Sequence, residues 1–189
     1  MSRPLSQLDN DLRRRSQELR RAYNDRIPRL VAAEYRDGFR ESFALQRFND
    51  YGTAAWPQVK RRTIGQPWYG FQYGTNYAVP VDSRGRDKKY GTRGGKTNFS
   101  PRATTRAILL GKGSAQLRDG IFIAEARNGR IVIASPHEHA AVHNEGLDSR
   151  IFGRKIFRMP QRKFMGNSKA IEREAIDTMN TVIDNIMTR

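Results

Sequence analysis

Three histidines fall within seven residues, in His137-Glu138-His139-Ala140-Ala141-Val142-His143. On a helix, His139 and His143 would share one face, a pairing that suits zinc or another divalent metal. The set is poor as a metal centre. Glu138 lies outside the 139–143 pair, so the zinc-protease signature is missing. The chain has no cysteine, and a third ligand such as Glu145 would have to come from a turn. The plainer reading is a short polar helix or loop that packs Ala141 and Val142 and lets His143 make a hydrogen bond. A metal-dependent enzyme built on His137, His139 and His143 stays as the contrasting hypothesis.

No other arrangement suggests catalysis. Gly111-Lys112-Gly113-Ser114 has the composition of a phosphate loop. A true one needs Gly-x-x-x-x-Gly-Lys-Ser/Thr between a strand and a helix, and here the lysine precedes the second glycine. Acidic ligands are scarce in the basic part of the chain, where Asp82 and Asp87 stand alone. A two-metal nuclease needs more. No catalytic residue, metal ligand or cofactor site is therefore assigned.

Binding is better supported. Formal net charge is +16, from 35 Lys/Arg and 19 Asp/Glu. Residues 53–117 hold 12 basic and 2 acidic residues, and residues 147–169 hold 7 and 1. These two segments carry the whole excess. Lys60, Arg61, Arg62, Arg84, Arg86, Lys88, Lys89, Arg93 and Lys96, with Arg102 and Arg106, could contact phosphates. Such contacts ignore base sequence and weaken with salt. No sequence-reading motif accompanies them, so a DNA contact would be non-specific. A solvated loop or a contact with acidic neighbouring subunits explains the same charge, and both readings stay open.

The elements that must carry these residues follow from periodicity. A chain of 189 residues suits one domain with an arm. Mean hydropathy of −0.77 implies much loop or solvated surface. No apolar run can cross a bilayer, and the charged start, MSRPLSQLDNDLRRR, is no signal peptide. The expected setting is the cytosol, or a particle assembled there. Without cysteine, stability must come from packing or partners.

Leu5, Leu8, Leu12, Leu19, Tyr23 and Ile27 predict a polar helix with a narrow apolar stripe over 5–27. Pro28 then marks a kink or the first turn of a second helix. Val31, Tyr35, Phe39 and Phe43 predict that second helix over 29–48. Residues 53–107 are broken by Gly and Pro and read as a long basic loop, ordered only against a partner. Arg127-Asn128-Gly129 between two β-prone runs predicts a hairpin, with Ile121, Ile123, Ile131 and Ile133 on one buried face. Residues 154–158 suggest another strand. Ile171, Ala175, Ile176, Met179, Val182, Ile183 and Ile186 predict a closing helix over 169–187, capped by Asn167 or Ser168.

Three stretches carry a resemblance. They are Leu110-Gly111-Lys112-Gly113-Ser114-Ala115-Gln116-Leu117-Arg118-Asp119-Gly120-Ile121, His139-Ala140-Ala141-Val142-His143-Asn144-Glu145-Gly146, and Met159-Pro160-Gln161-Arg162-Lys163-Phe164-Met165-Gly166. In order and spacing the chain from about 108 to 189 resembles the phage virion-morphogenesis family, tail-completion or neck proteins of Mu-like long-tailed phages. The departures are the reversed Gly113-Ser114 pair, His139 where the family has Tyr, and Gly120 where Ser is usual. The basic stretch near 82–102 has no counterpart. The resemblance implies a structural His143, no catalysis and no cofactor. It also makes Pro160, Arg162, Phe164 and Gly166, with Arg158 beside them, an interface or core junction. There Arg162 would offer a fork to a carboxylate, and Phe164 an anchor into the core or a neighbour.

The expected molecule is an α+β subunit. It has an N-terminal helical region (1–52), an irregular basic loop region (53–107) and an α+β core (108–189), forming a single domain overall. A small twisted antiparallel sheet with a central hairpin is packed by the C-terminal helix. The resemblance implies a homo-oligomeric ring in the virion neck, meeting connector and tail proteins and no membrane, with possible non-specific contact with packaged DNA. A tail terminator, a connector adaptor or stopper, or a non-specific nucleic-acid-binding protein are the alternatives. On the interface reading, Arg162→Ala or Phe164→Ala leaves a soluble subunit that assembles poorly.

Overall fold

The computed structural model describes residues 5–66, 68–71, 77–78, 96–97, 100–110, 116–151 and 155–188. The fold is α+β, as its elements show. The chain divides into two compact units, one joining Met1–Ala55 to Leu117–Arg189 and the other Trp56–Gln116. The expected boundaries after 52 and 107 thus move to 55 and 116. The single domain becomes a discontinuous core unit with a second unit inserted in its sequence.

In the core unit, helix α1 (Leu5–Arg21) passes through a π-helical turn (Ala22–Arg26) into α2 (Ile27–Leu45). Pro28 explains the irregular turn. In an α-helix the Asn24 carbonyl would accept the N–H of residue 28, which proline lacks. The hairpin supplies a donor instead, the Asn128 N–H at 2.6 Å from the Asn24 carbonyl. Helix α2 begins with Pro28 in its first turn, so the second of the two sequence expectations holds.

Helix α2 is the hub. Val31, Phe39 and Phe43 are buried, and Tyr35 packs at the edge of the core. One side meets the closing helix α6 (Lys169–Met187), and the hairpin β3 (Phe122–Arg127) and β4 (Arg130–Ala134) also packs on it. The described strands form three two-stranded antiparallel ladders, and Ile131 of the hairpin joins α2 and α6 in one core. Helices α2 and α6 pack tightly at Gly38, where an added Cβ would lie 2.7 Å from Ile171 Cδ1.

The hairpin turn is as its sequence predicts. Asn128 and Gly129 both have positive φ, 50° and 69°, as a two-residue hairpin turn requires. Its burial is less regular than expected. Ile121 is fully buried but precedes the strand, and Ile123, Ile131 and Ile133 are half-buried. A register shift between Ile123 and Glu125 breaks the alternation. The predicted later strand is β6 (Lys155–Arg158), paired with β5 (Asp148–Ile151).

Ser168 caps α6, its Oγ accepting the Ile171 N–H at 3.2 Å. The Asp50 carboxylate adds bonds from the N–H groups of Lys169 at 3.0 Å and Ala170 at 3.2 Å. Burial opposes its charge, yet these donors, the Tyr51 N–H and Lys163 hold its pKa below the ordinary value. The loop after α2 thus fixes the start of α6.

The second unit contains short regular elements among its described residues. Its described parts include a 3₁₀ turn (Lys60–Arg62), strands β1 (Tyr77–Ala78) and β2 (Lys96–Thr97), and helix α3 (Pro101–Thr105). Trp56, Ala103 and Ile108 are buried. The Ser100 N–H donates to the Gly70 carbonyl at 2.8 Å, and the Gly70 N–H donates to the Arg61 carbonyl at 2.8 Å. Gly65 and Gly70, which read as loop punctuation, both adopt positive φ in turns.

Candidate functional site

Helix α5 (His139–Glu145) is seven residues long and ends on Gly146, which adopts φ 66°. Sequence neighbours alone would leave its last carbonyls open. The segment 159–166 fills part of that need. The Arg162 N–H donates to the His143 carbonyl at 2.8 Å, and Gln161 Nε2 donates to the Asn144 carbonyl at 3.0 Å. The Met159 N–H donates to the Leu147 carbonyl at 3.1 Å. Gly146 permits this close approach, since a Cβ there would sit 3.0 Å from Gln161 N.

Asn144 closes the arrangement. Its Oδ1 accepts the N–H groups of Phe164 and Met165, both at 2.9 Å, and its Nδ2 donates to the Met165 carbonyl at 3.1 Å. One amide side chain thus serves three backbone groups about twenty residues away. Two of the three stretches that carried the family resemblance are clasped together here, with the β5–β6 ladder between them in sequence.

The side chains of the motif divide by direction. Phe164 is 0% exposed, and its ring lies 5.0 Å from that of Phe43. Arg162 is 4% exposed, with Nη1 3.9 Å from Met159 Sδ. Both turn into their own subunit. Of the two expectations, interface or core junction, their burial fits the core junction, and truncating Phe164 should unfold the clasp rather than spare it. Arg158 and Pro160 are exposed. Arg158 faces its ladder partner Asp148 at 3.8 Å, a distance typical of a weak surface pair. Gly166 adopts φ 138°, and Lys163 lies over the Phe48 ring at 4.3 Å.

His143 is half-buried beside Arg162. Desolvation first, then the charges of Arg162 and His139, push its pKa down to about 4. Its Nδ1 is buried with no hydrogen-bond partner. Helix α5 does place His139 and His143 on one face, but it buries Ala140 rather than Ala141. Among the described residues no group of three His, Asp or Glu side chains could hold a metal ion.

The basic candidates separate likewise. Arg61 is partly buried and donates to the carbonyls of Ala107 at 2.7 Å and Arg106 at 3.2 Å, so it braces the second unit. Lys60 is exposed beside the half-buried Arg62, and Lys96 lies in β2. Arg84, Arg86, Lys88, Lys89 and Arg93 lie outside the described residues, as does Gly111–Ser114. No described helix is long and apolar enough to cross a membrane.

Sequence reading missed Asn144. Its one signal is position, as the last polar residue before a helix-ending Asn-Glu-Gly, and nothing local names its partner. Comparison with protein-family models, curated proteins and solved structures found no match.

Proposed function

We propose that this chain is a non-enzymatic structural protein of a tailed-phage virion, a tail-completion or neck subunit that assembles as a ring where tail meets connector. The observation that carries the reading is the clasp. Stretches 139–146 and 159–166, which resemble the virion-morphogenesis family in order and spacing, form one hydrogen-bonded joint through Asn144. A motif retained for such a joint needs no chemistry of its own. The mechanism is adhesive, with exposed surfaces of one copy meeting the next around a closed axis. Tail terminator and connector adaptor or stopper are close variants of the same role.

The second reading is non-specific nucleic-acid binding, favoured by the net charge of +16. Electron microscopy of the purified chain, with and without DNA, tests both. Closed rings, and immunogold label at the head–tail junction of particles containing the chain, are the expected result. A monomer that coats DNA, with affinity falling steeply as salt rises, would overturn it.

A further inference from the structure

The second unit is one-sided in charge. Its described residues include Lys60, Arg61, Arg62, Lys96, Arg102 and Arg106, and no Asp or Glu. In the core unit, by contrast, arginines stand beside carboxylates, as in Arg36–Asp37, Arg118–Asp119 and Arg130–Glu125. Arg61 serves the fold, since it donates to the carbonyls of Arg106 and Ala107. Lys60 and Arg102 are exposed, and Arg62 is half-buried.

Trp68 lies in the same body. Its turn closes with the Phe71 N–H donating to the Trp68 carbonyl at 3.0 Å. The Gly70 N–H ties this turn to the Arg61 carbonyl, and the Ser100 N–H ties it to the start of α3, both at 2.8 Å. Helix α3 in turn packs on the 3₁₀ turn. Trp68 is 48% exposed, whereas the other tryptophan, Trp56, is 4% exposed. A perpendicular contact with Phe71, ring centres 4.7 Å apart, fixes the indole without burying it.

This surface fits one ligand class. Repeated cations without carboxylates attract a polyanion. A fixed, exposed indole beside them gives an unpaired base a platform. Duplex DNA offers its phosphates but keeps its bases stacked on each other. The described helices of this unit are also too short to read a major groove, with five residues in α3 and three in the 3₁₀ turn. An acidic peptide matches the charge but leaves Trp68 without a role.

We propose that the second unit carries a single-stranded nucleic-acid site, with a base stacked on Trp68 and phosphates held by Lys60, Arg62 and Arg102. Such contacts are to backbone and ring faces, so binding is indifferent to base sequence. The inference rests on the nucleic-acid reading above and narrows it to one strand class and one surface. A ring subunit can carry the same surface, so the neck reading is independent of it.

The test titrates the whole chain with oligothymidylate and reads tryptophan emission. Trp68 should be quenched as bases stack on it, and buried Trp56 should keep its emission. Trp68→Ala should lose the quenching and weaken binding about tenfold, as for one stacked base, whereas Trp68→Phe should retain most of the affinity. Lys60→Glu with Arg102→Glu should weaken binding and flatten its dependence on salt. These positions are exposed, and circular dichroism checks that the variants stay folded.

Equal affinity for a duplex of the same length, with no quenching and no loss in Trp68→Ala, would show a contact made by charge alone. This site would then fall and the nucleic-acid reading would stand. Polyglutamate binding as tightly as oligothymidylate would point to an acidic protein partner and overturn the site. Failure to bind any nucleic acid at low salt would sink both the site and the nucleic-acid reading.

Discussion

The clasp at 139–166 and the arm α1 are opposite uses of similar material. Both present apolar side chains and arginines. In the clasp Phe164 and Arg162 are sealed inside, and backbone groups are matched through Asn144. In the arm Leu5, Leu8 and Leu12 face solvent, and Arg13 and Arg14 pair with nearby aspartates. Exposed pairs of that kind contribute little. The clasp holds the subunit together, whereas the arm leaves apolar surface exposed.

The largest expected effect is in the clasp. Phe164→Ala should cost about 3–5 kcal/mol, as for other buried phenylalanines, read from urea unfolding. A loss below about 1 kcal/mol would mean that the ring is not packed as described. Asn144→Ala should follow at about 2–4 kcal/mol, because two N–H groups and a carbonyl lose their partner. Gly38→Val tests the hub apart from the clasp. Its side chain would collide with Ile171, and overpacking of this kind costs about 1–3 kcal/mol.

The pH dependence sharpens the contrast further. His143 titrates near 6.5 unfolded and about 4 folded, so the folded state favours the neutral ring. Its contribution is complete above pH 6.5 and is lost as pH falls toward 4. His143→Gln should flatten that part of the urea-midpoint profile, and an unchanged slope would show that the ring is solvated. The smallest effect belongs to the arm. Leu8→Ala should change unfolding free energy by no more than about 0.5 kcal/mol. A larger loss would show that α1 is part of the subunit's own core.

Local features were legible in the sequence because they depend on neighbours. Asn128-Gly129 can occupy positive φ and so makes the turn. Ser168 caps α6 three residues before Ile171. Val31, Phe39 and Phe43 bury one face of α2 through helical spacing alone. In the Gly- and Pro-rich region the turn at Gly70 was legible, but its bonds to Arg61 and Ser100 were not, because those partners are distant in sequence.

The rest was decided by parts of the chain that meet only after folding. Pro28 announces a disturbed helix, but the donor that reaches Asn24 comes from Asn128, more than a hundred residues on. Arg162 and Phe164 carry the same sequence signature whether they face a neighbour or their own core, and packing on Phe43 and α5 turns them inward. The leucine stripe of α1 is plain in the sequence. Only the end of α6 near Met187 decides that its first three leucines are left uncovered, because periodicity fixes which face is apolar and tertiary reach fixes what lies against it.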